Sequence, residues 1–227
     1  MTMTQKSIAG EPNDQDIEVG GLRVENLHLE RAGIELQPSL AFAIAPGESI
    51  ALMGPNGAGK TSLLRVLAGI ARARFGDITV KGVDACEDPE GYRAHVAMVG
   101  HAVAMKPALS LRDNLAFWYR YFRRKSIDQD EFDTALEAVG LAALADVNVG
   151  VFSAGQRQRA QLARLLVTNA SLWLLDEPTT ALDTRSIERL AEIVETHRAA
   201  GGMVLTATHQ TLPYPVDRQI ILESGRL

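Results

Sequence analysis

The stretch Gly54-Pro55-Asn56-Gly57-Ala58-Gly59-Lys60-Thr61 fits G-x-x-x-x-G-K-[ST] at every fixed position. It follows the short apolar run Ser49–Met53, which reads as a buried strand, and opens the apolar-rich segment Lys60–Ile70, which reads as a helix. Glycines let a backbone fold around a polyphosphate and turn its N–H groups inward, while the field of a helix beginning at Lys60 favours an anion at its start. In such a loop Lys60 contacts the β- and γ-phosphates and Thr61 offers a hydroxyl to Mg²⁺. A plain glycine-rich turn accounts for Gly54, Gly57 and Gly59 but not for the Lys-Thr pair that follows them.

Working outward, a second apolar run, Leu172-Trp173-Leu174-Leu175, ends in Asp176-Glu177 and is stopped by Pro178. A buried strand delivers such carboxylates to the sheet edge, where open α/β sheets bind ligands. Asp176 is placed to hold Mg²⁺ through water, and Glu177 to orient or deprotonate an attacking water. Alone, an Asp-Glu pair after a strand reads as a solvated loop start. With the phosphate loop elsewhere in the chain, the pair implies ATP or GTP hydrolysis.

Around these motifs the 227 residues divide in texture. Residues 1–21 are polar and lack an apolar period, and are expected to form a flexible tail with the single ATPase domain at 22–227. Alternating stretches at Leu22–Leu29 and Leu40–Ile44 predict a small β-rich layer, and Asp77–Val80 a further strand. From Ser110 to Val149 helical spacing predicts a helical subdomain, about 110–150, with Ser110 and Asp113 starting its first helix. After it come a helix from Gly155 to about Asn169, the acidic strand, a helix from about Thr184 to Ala200 and a strand at Met203–Thr208. Strands alternating with helices imply a parallel sheet covered on both faces.

Composition narrows the classes. With 46% hydrophobic and 22% charged residues the chain reads as globular, and no apolar run reaches the roughly 18 to 20 residues that span a bilayer. Lys and Arg number 23 against 28 Asp and Glu, a net charge of -5 that argues against a protein tracking a nucleic-acid backbone. The single Cys86 excludes an internal disulfide and Cys-x-x-Cys zinc sites, and it reads as a structural or surface thiol. With no basic n-region and apolar h-region at the start of the sequence, the expected setting is the cytosol.

Phe152-Ser153-Ala154-Gly155-Gln156 reads two ways. Ser153 with Gln156 is an S-x-x-Q capping box that can open any helix. The stretch also resembles the signature sequence of ABC-type ATPases, usually LSGGQ, with Phe for Leu and Ala154 for the first Gly. Thr180-Ala181-Leu182-Asp183 is similar to the D-loop of that family, and His209 in Thr208-His209-Gln210 to its switch histidine. Five motifs in the family's order over Leu22–Leu227 identify the chain as resembling an ABC transporter ATP-binding subunit. The implied fold is an α/β P-loop NTPase: a parallel core sheet, an antiparallel β layer and an α-helical subdomain.

That resemblance implies a mechanism. Two copies sandwich two ATP molecules head to tail, so the chain is expected to form a homodimer on ATP binding. Ser153, Ala154, Gly155, Gln156 and the helix they open face the partner copy's γ-phosphate. His209 senses loss of that phosphate, and Asp183 couples the two sites. ATP and Mg²⁺ are the implied ligands, with no other bound metal and no nucleic acid as partner. There are two departures. His101, in Val99-Gly100-His101, stands where the family usually carries glutamine, and its charge titrates near neutral pH; its plain reading is a loop histidine. The stretch Glu30–Ile34 has no aromatic for stacking adenine, which leaves Arg31 as a stacking group.

VGH, LSLRDNL, FSAGQRQRAQLARLL, LWLLDEP and THQ together resemble the ATP-binding subunits of the cytochrome c maturation branch, described there as haem exporter subunits. The implied partners are integral membrane permease subunits of the cytochrome c maturation complex, and the implied place is the cytoplasmic face of the bacterial inner membrane, bound peripherally. An exporter of another cargo, such as a lipid or a drug, is the alternative, followed by a soluble ABC ATPase acting on nucleic acid. Phe117 pairs with Tyr121 and Trp118 with Phe122 on two faces of one helix. Either one of these faces is a groove for the membrane partner or both are buried. His28, His95 and His197 show no haem-ligand spacing.

Overall fold

The computed structural model describes residues 20–31, 34–100 and 104–223. The tail expected over 1–21 lies outside them up to residue 19, as do His101 and Ala32-Gly33; nothing is described of the Arg31 side chain. In chain order the elements are β1 (Leu22–Arg31), β2 (Ile34–Ile44), β3 (Ser49–Met53), α1 (Lys60–Leu67), β4 (Phe75–Val80), β5 (Val83–Asp84), α2 (Pro89–Ala94) and β6 (Val96–Val99). They continue as α3 (Leu111–Arg123), α4 (Gln129–Ala138), α5 (Ala154–Thr168), β7 (Leu172–Asp176), α6 (Thr184–Ala199), β8 (Met203–Ala207) and β9 (Arg218–Ile221).

These strands build two sheets. One is antiparallel in the order β2-β1-β4-β5, the other is parallel in the order β6-β7-β8-β3-β9. Strand β7 shows how the parallel sheet is covered on both faces. Leu172 and Leu174 point into a core shared with α1 and the antiparallel layer, whereas Trp173 and Leu175 point into a core shared with α3, α4, α5 and α6. All five residues of β7 are buried, which explains its uninterrupted apolar run.

Several boundaries differ from the sequence reading, each for a local reason. Helix α1 stops at Leu67 rather than Ile70 because Gly69 turns at φ 65 and its N–H bonds back to Val66. Strand β2 begins well before Leu40. Pro38 inside it has no N–H to give a ladder, but β2 is an edge strand and the register shifts between Leu27↔Leu40 and Leu29↔Gln37, so Pro38 sits exposed at an irregularity. The short elements α2, β6 and β9 were not anticipated. Four residues of β6 and the half-exposed alternation of β9 carry too little pattern to read.

Helix α3 starts as expected. Ser110 accepts a hydrogen bond from the Asp113 N–H at 3.0 Å and donates its hydroxyl to the Asp113 carboxylate at 2.7 Å. Along α3, Leu111, Leu115 and Tyr119 are buried, Trp118 and Phe122 are partly buried against the same core, and Phe117 and Tyr121 stay exposed at 58% and 51%. The open question about the aromatic faces is thus resolved among these residues: one face packs, the other is bare. Among the described residues no helix is long and apolar enough to cross a membrane.

Candidate functional site

The phosphate loop is shaped by glycines that no other residue replaces easily. Gly54 sits at φ 146 with the Leu222 carbonyl 2.5 Å from where a Cβ would lie, and Gly59 caps α1 at φ 100 against Leu29 and Leu36. Lys60 folds back over the loop, donating from Nζ to the carbonyls of Gly54 at 2.6 Å and Pro55 at 3.2 Å. Thr61, one residue into α1, donates from Oγ1 to Asp176 Oδ2 at 2.8 Å. Asp176 is the buried last residue of β7, and β8 separates that strand from β3 in the sheet. The loop and the acidic strand, far apart in sequence, therefore meet at one sheet edge.

Glu177 follows in the left-handed region at φ 50, an unusual conformation for this residue, held from several sides. Its backbone N–H donates to the Ala207 carbonyl at 2.9 Å, Thr208 Oγ1 donates to its Oε2 at 3.2 Å, and its Oε1 lies 2.8 Å from His209 Nδ1. An ionised carboxylate only accepts, so in this contact Nδ1 carries the hydrogen and Nε2 faces away from Glu177. The Glu177 side chain is 12% exposed and that of His209 64%. Gln210 accepts from Thr179 Oγ1 at 3.3 Å, tying the strip after β8 to the strip after β7.

Ser153 and Gln156 form the capping box of α5: Ser153 Oγ accepts from the Gln156 N–H at 3.2 Å and Gln156 Oε1 accepts from the Ser153 N–H at 2.8 Å. Ala154 and Ser153 are exposed. The Ala181 carbonyl lies 2.9 Å from where a Gly155 Cβ would sit, so the Thr180–Asp183 strip packs on the start of α5. Asp183 caps α6 by accepting from the Ser186 N–H at 2.8 Å, and hydrogen bonds from the Ser186 side chain and backbone hold its carboxyl below the usual range. A cavity of about 210 Å³ joins these parts, lined by Gly100, Ala154, Gln158, Asp176, Glu177 and Ala181 among others.

Two groupings thus stand apart. Lys60, Thr61, Asp176, Glu177 and His209 are linked or adjacent. Among the described residues no hydrogen bond or ion pair joins Ser153–Gln156 to Gly54–Thr61. Thr208, which grips Glu177, was missed by the sequence reading; its place at the end of an apolar strand, directly before His209, was the available signal. Among the described residues no three His, Cys, Asp or Glu side chains cluster to hold a metal. Thr61 Oγ1 and the Asp176 carboxylate are a hydroxyl and an anionic oxygen, the donor set of a Mg²⁺ ion that completes its shell with phosphate and water.

Beside α3 an apolar groove of about 290 Å³ is lined by Ala104, Met105, Lys106, Leu109, Phe117 and Trp118 among others. His28 lies edge-on to Phe75, His95 follows α2, and His197 stacks on Trp173 at 3.7 Å, so these three sit on separate elements.

Comparison with known proteins gives a consistent result. Residues 38–180 match the family model described as "ABC transporter". The "Cytochrome c biogenesis ATP-binding export protein CcmA" of Rhodospirillum rubrum is 46% identical over 191 residues, covering 84% of this chain and 81% of that protein. The protein of the same description from Paramagnetospirillum magneticum is 42% identical over 200 residues, covering 88% and 92%. Among solved structures, "Structure of ATP binding subunit of ABC transporter" superposes with a TM-score of 0.76 at 25% identity, covering 83% of this chain and 79% of that one. A bacterial Atm1-family ABC exporter with ATP bound shares the fold at TM-score 0.74 and 24% identity, covering 86% of this chain and 35% of its own.

Proposed function

Because this chain belongs to the ABC transporter family, we propose that it is the ATP-binding and ATP-hydrolysing subunit of an exporter that serves cytochrome c biogenesis, energising haem export or delivery. The observation that carries this reading is the meeting of Thr61 with Asp176 at 2.8 Å, beside a Glu177 gripped by Thr208 and His209. In it, Gly54–Thr61 cradle the triphosphate through backbone N–H groups, and Lys60 exchanges its two loop carbonyls for β- and γ-phosphate oxygens. Thr61 and Asp176 would hold Mg²⁺, which when bound would neutralise phosphate charge. Glu177 takes a proton from the attacking water as its oxygen adds in line to the γ-phosphorus and the bond from that phosphorus to the β–γ bridging oxygen breaks, releasing ADP and phosphate. His209 meets the γ-phosphate through Nε2 and loses that contact when the phosphate leaves. His101 is proposed to act beside Mg²⁺ and its water, in the family's glutamine position.

Ser153, Ala154, Gly155 and Gln156 act on the γ-phosphate of a second copy, so that closure requires two chains and two nucleotides, with Asp183 and its strip linking the sites. Support for this comes from the exposed Ser153 and Ala154 at the start of α5, which no hydrogen bond or ion pair among the described residues joins to Gly54–Thr61. The bare aromatic groove beside Phe117 and Trp118 fits a segment of a membrane permease subunit, which would place this chain at the cytoplasmic face of the inner membrane. The test is genetic and chemical together: delete the gene in its host, complement with wild type or Glu177→Gln, and measure covalent haem in periplasmic c-type cytochromes. Loss of haem restored only by the wild type is expected. Normal cytochrome maturation in the deletion overturns the cargo assignment and leaves export of another substrate as the reading.

A further inference from the structure

Arg164, midway along α5, is 4% exposed and takes part in none of the steps above. Its Nη2 donates to the Met98 carbonyl in β6, its Nε has no partner, and its guanidinium carbon lies 5.0 Å from the centre of the Trp118 ring in α3. Among the described residues no carboxylate forms an ion pair with it. Burial pushes the guanidinium down to about 10. Burying a cation without a counter-ion is costly, and an apolar side chain of similar volume is often as stable or more so. Fold stability therefore does not explain an arginine at this place.

What the guanidinium touches does. On one side, Met98 lies in β6, the strand ends at Val99, and a Cβ on Gly100 just beyond it would lie 3.6 Å from the Asp176 Cβ. On the other side, Trp118 donates from Nε1 to the Ala104 carbonyl at 2.8 Å and lines the apolar groove with Phe117. One planar cation thus bonds the strand edge beside the nucleotide site and faces the indole that forms the groove wall.

We propose that Arg164 is a positioning residue that fastens the groove wall at Trp118 to the β6 edge beside Asp176, so that a partner segment in the groove and a nucleotide at the phosphate loop act on one rigid unit. This rests on the ATPase reading. Lysine keeps the charge but not the plane, and so cannot bond Met98 and stack on Trp118 together. Methionine keeps the volume and neither contact.

The experiment uses the full chain with Trp173→Phe as the common background, which leaves Trp118 as the only indole, since the sequence holds two Trp residues. Binding of Mg-ATP, steady-state turnover, the thermal midpoint and Trp118 emission with and without ATP are measured. Arg164→Met is expected to keep its midpoint and ATP affinity, to lose about tenfold in kcat with KM unchanged, and to lose the ATP-dependent change in Trp118 emission. A Met variant with parental turnover, or with the Trp118 response intact, overturns the proposal. So does a turnover loss that merely tracks a lowered midpoint. Should Arg164→Met not fold, Arg164→Lys decides: a diminished Trp118 response with ATP binding preserved supports the proposal, and a parental response overturns it. Failure of the ATPase reading looks different, since the parent itself would then bind no ATP, and this proposal falls with it.

Discussion

The phosphate loop and the start of α5 carry the same kind of chemistry, backbone N–H groups at a helix beginning, yet their side chains are partnered differently. Around Lys60 and Thr61 the polar side chains find partners elsewhere in the chain: loop carbonyls for the ammonium, Asp176 for the hydroxyl. At Ser153 the polar groups are satisfied only by their own capping box, and the surface beyond is exposed. A half-site tied to the acidic strand and another tied only to itself, on a single chain, are what the proposed two-chain closure needs, and the two can be disabled separately.

The largest effect should come from the half tied to the acidic strand. Glu177→Gln removes the water activator and keeps the cradle, so turnover falls by roughly 100- to 10,000-fold while ATP binding survives. Gel filtration with ATP should show a dimer accumulating; wild-type turnover would remove Glu177 from its role. Lys60→Ala strikes the cradle itself, and losing charge-assisted bonds to phosphate weakens ATP binding by about 100-fold, read by titration calorimetry. Ser153→Arg attacks only the half tied to itself. ATP affinity of the single chain should stay within about threefold, less than 1 kcal/mol, while ATP-dependent dimerisation disappears in ultracentrifugation. Dimers of normal strength in that variant would break the comparison outright.

Thr208→Val sharpens it from within. Glu177 loses one of its two side-chain holds, and a drop in kcat of roughly tenfold is expected with KM unchanged, consistent with a hydrogen bond to a charged group worth about 1.5 kcal/mol. The smallest effect on turnover belongs to a site in neither half. Burial lowers His197 from 6.5 to about 4, so the native state favours its neutral form. The stability this gives is present above pH 6.5 and is lost as pH falls toward 4, on the order of 3 kcal/mol in all. His197→Phe, which preserves the stack on Trp173, should blunt the acid loss of the thermal midpoint and leave ATP turnover at pH 7.5 unaltered.

Much of this was legible in the residues. Gly54–Thr61 has a spacing tied to one backbone shape, and Leu172–Glu177 announces a buried strand ending in charge, so both motifs appear where the sequence placed them. The parallel sheet, antiparallel layer and helices followed from periodicity and resemblance together. The ligands of Glu177 were less visible. Thr208 acts through a strand neighbour brought near only by the sheet order β7-β8, which no local pattern encodes. Arg164 was unreadable for a related reason: in QRQRAQLARLLV it looks like another charge on a helix, and only tertiary packing against Met98 and Trp118 shows it buried. Strand β6 was too short to announce itself, so one of the acidic strand's two partners was absent from the sequence picture.

Strand β8 lies between β3 and β7, and that placement works as a gauge block. Neighbouring strands sit about 4.8 Å apart, so the loop's strand and the carboxylates' strand are spaced by roughly 10 Å, whatever the connecting segments do. Lengthening or trimming surface turns would leave that calibre untouched, because it is machined into the hydrogen-bonded ladder.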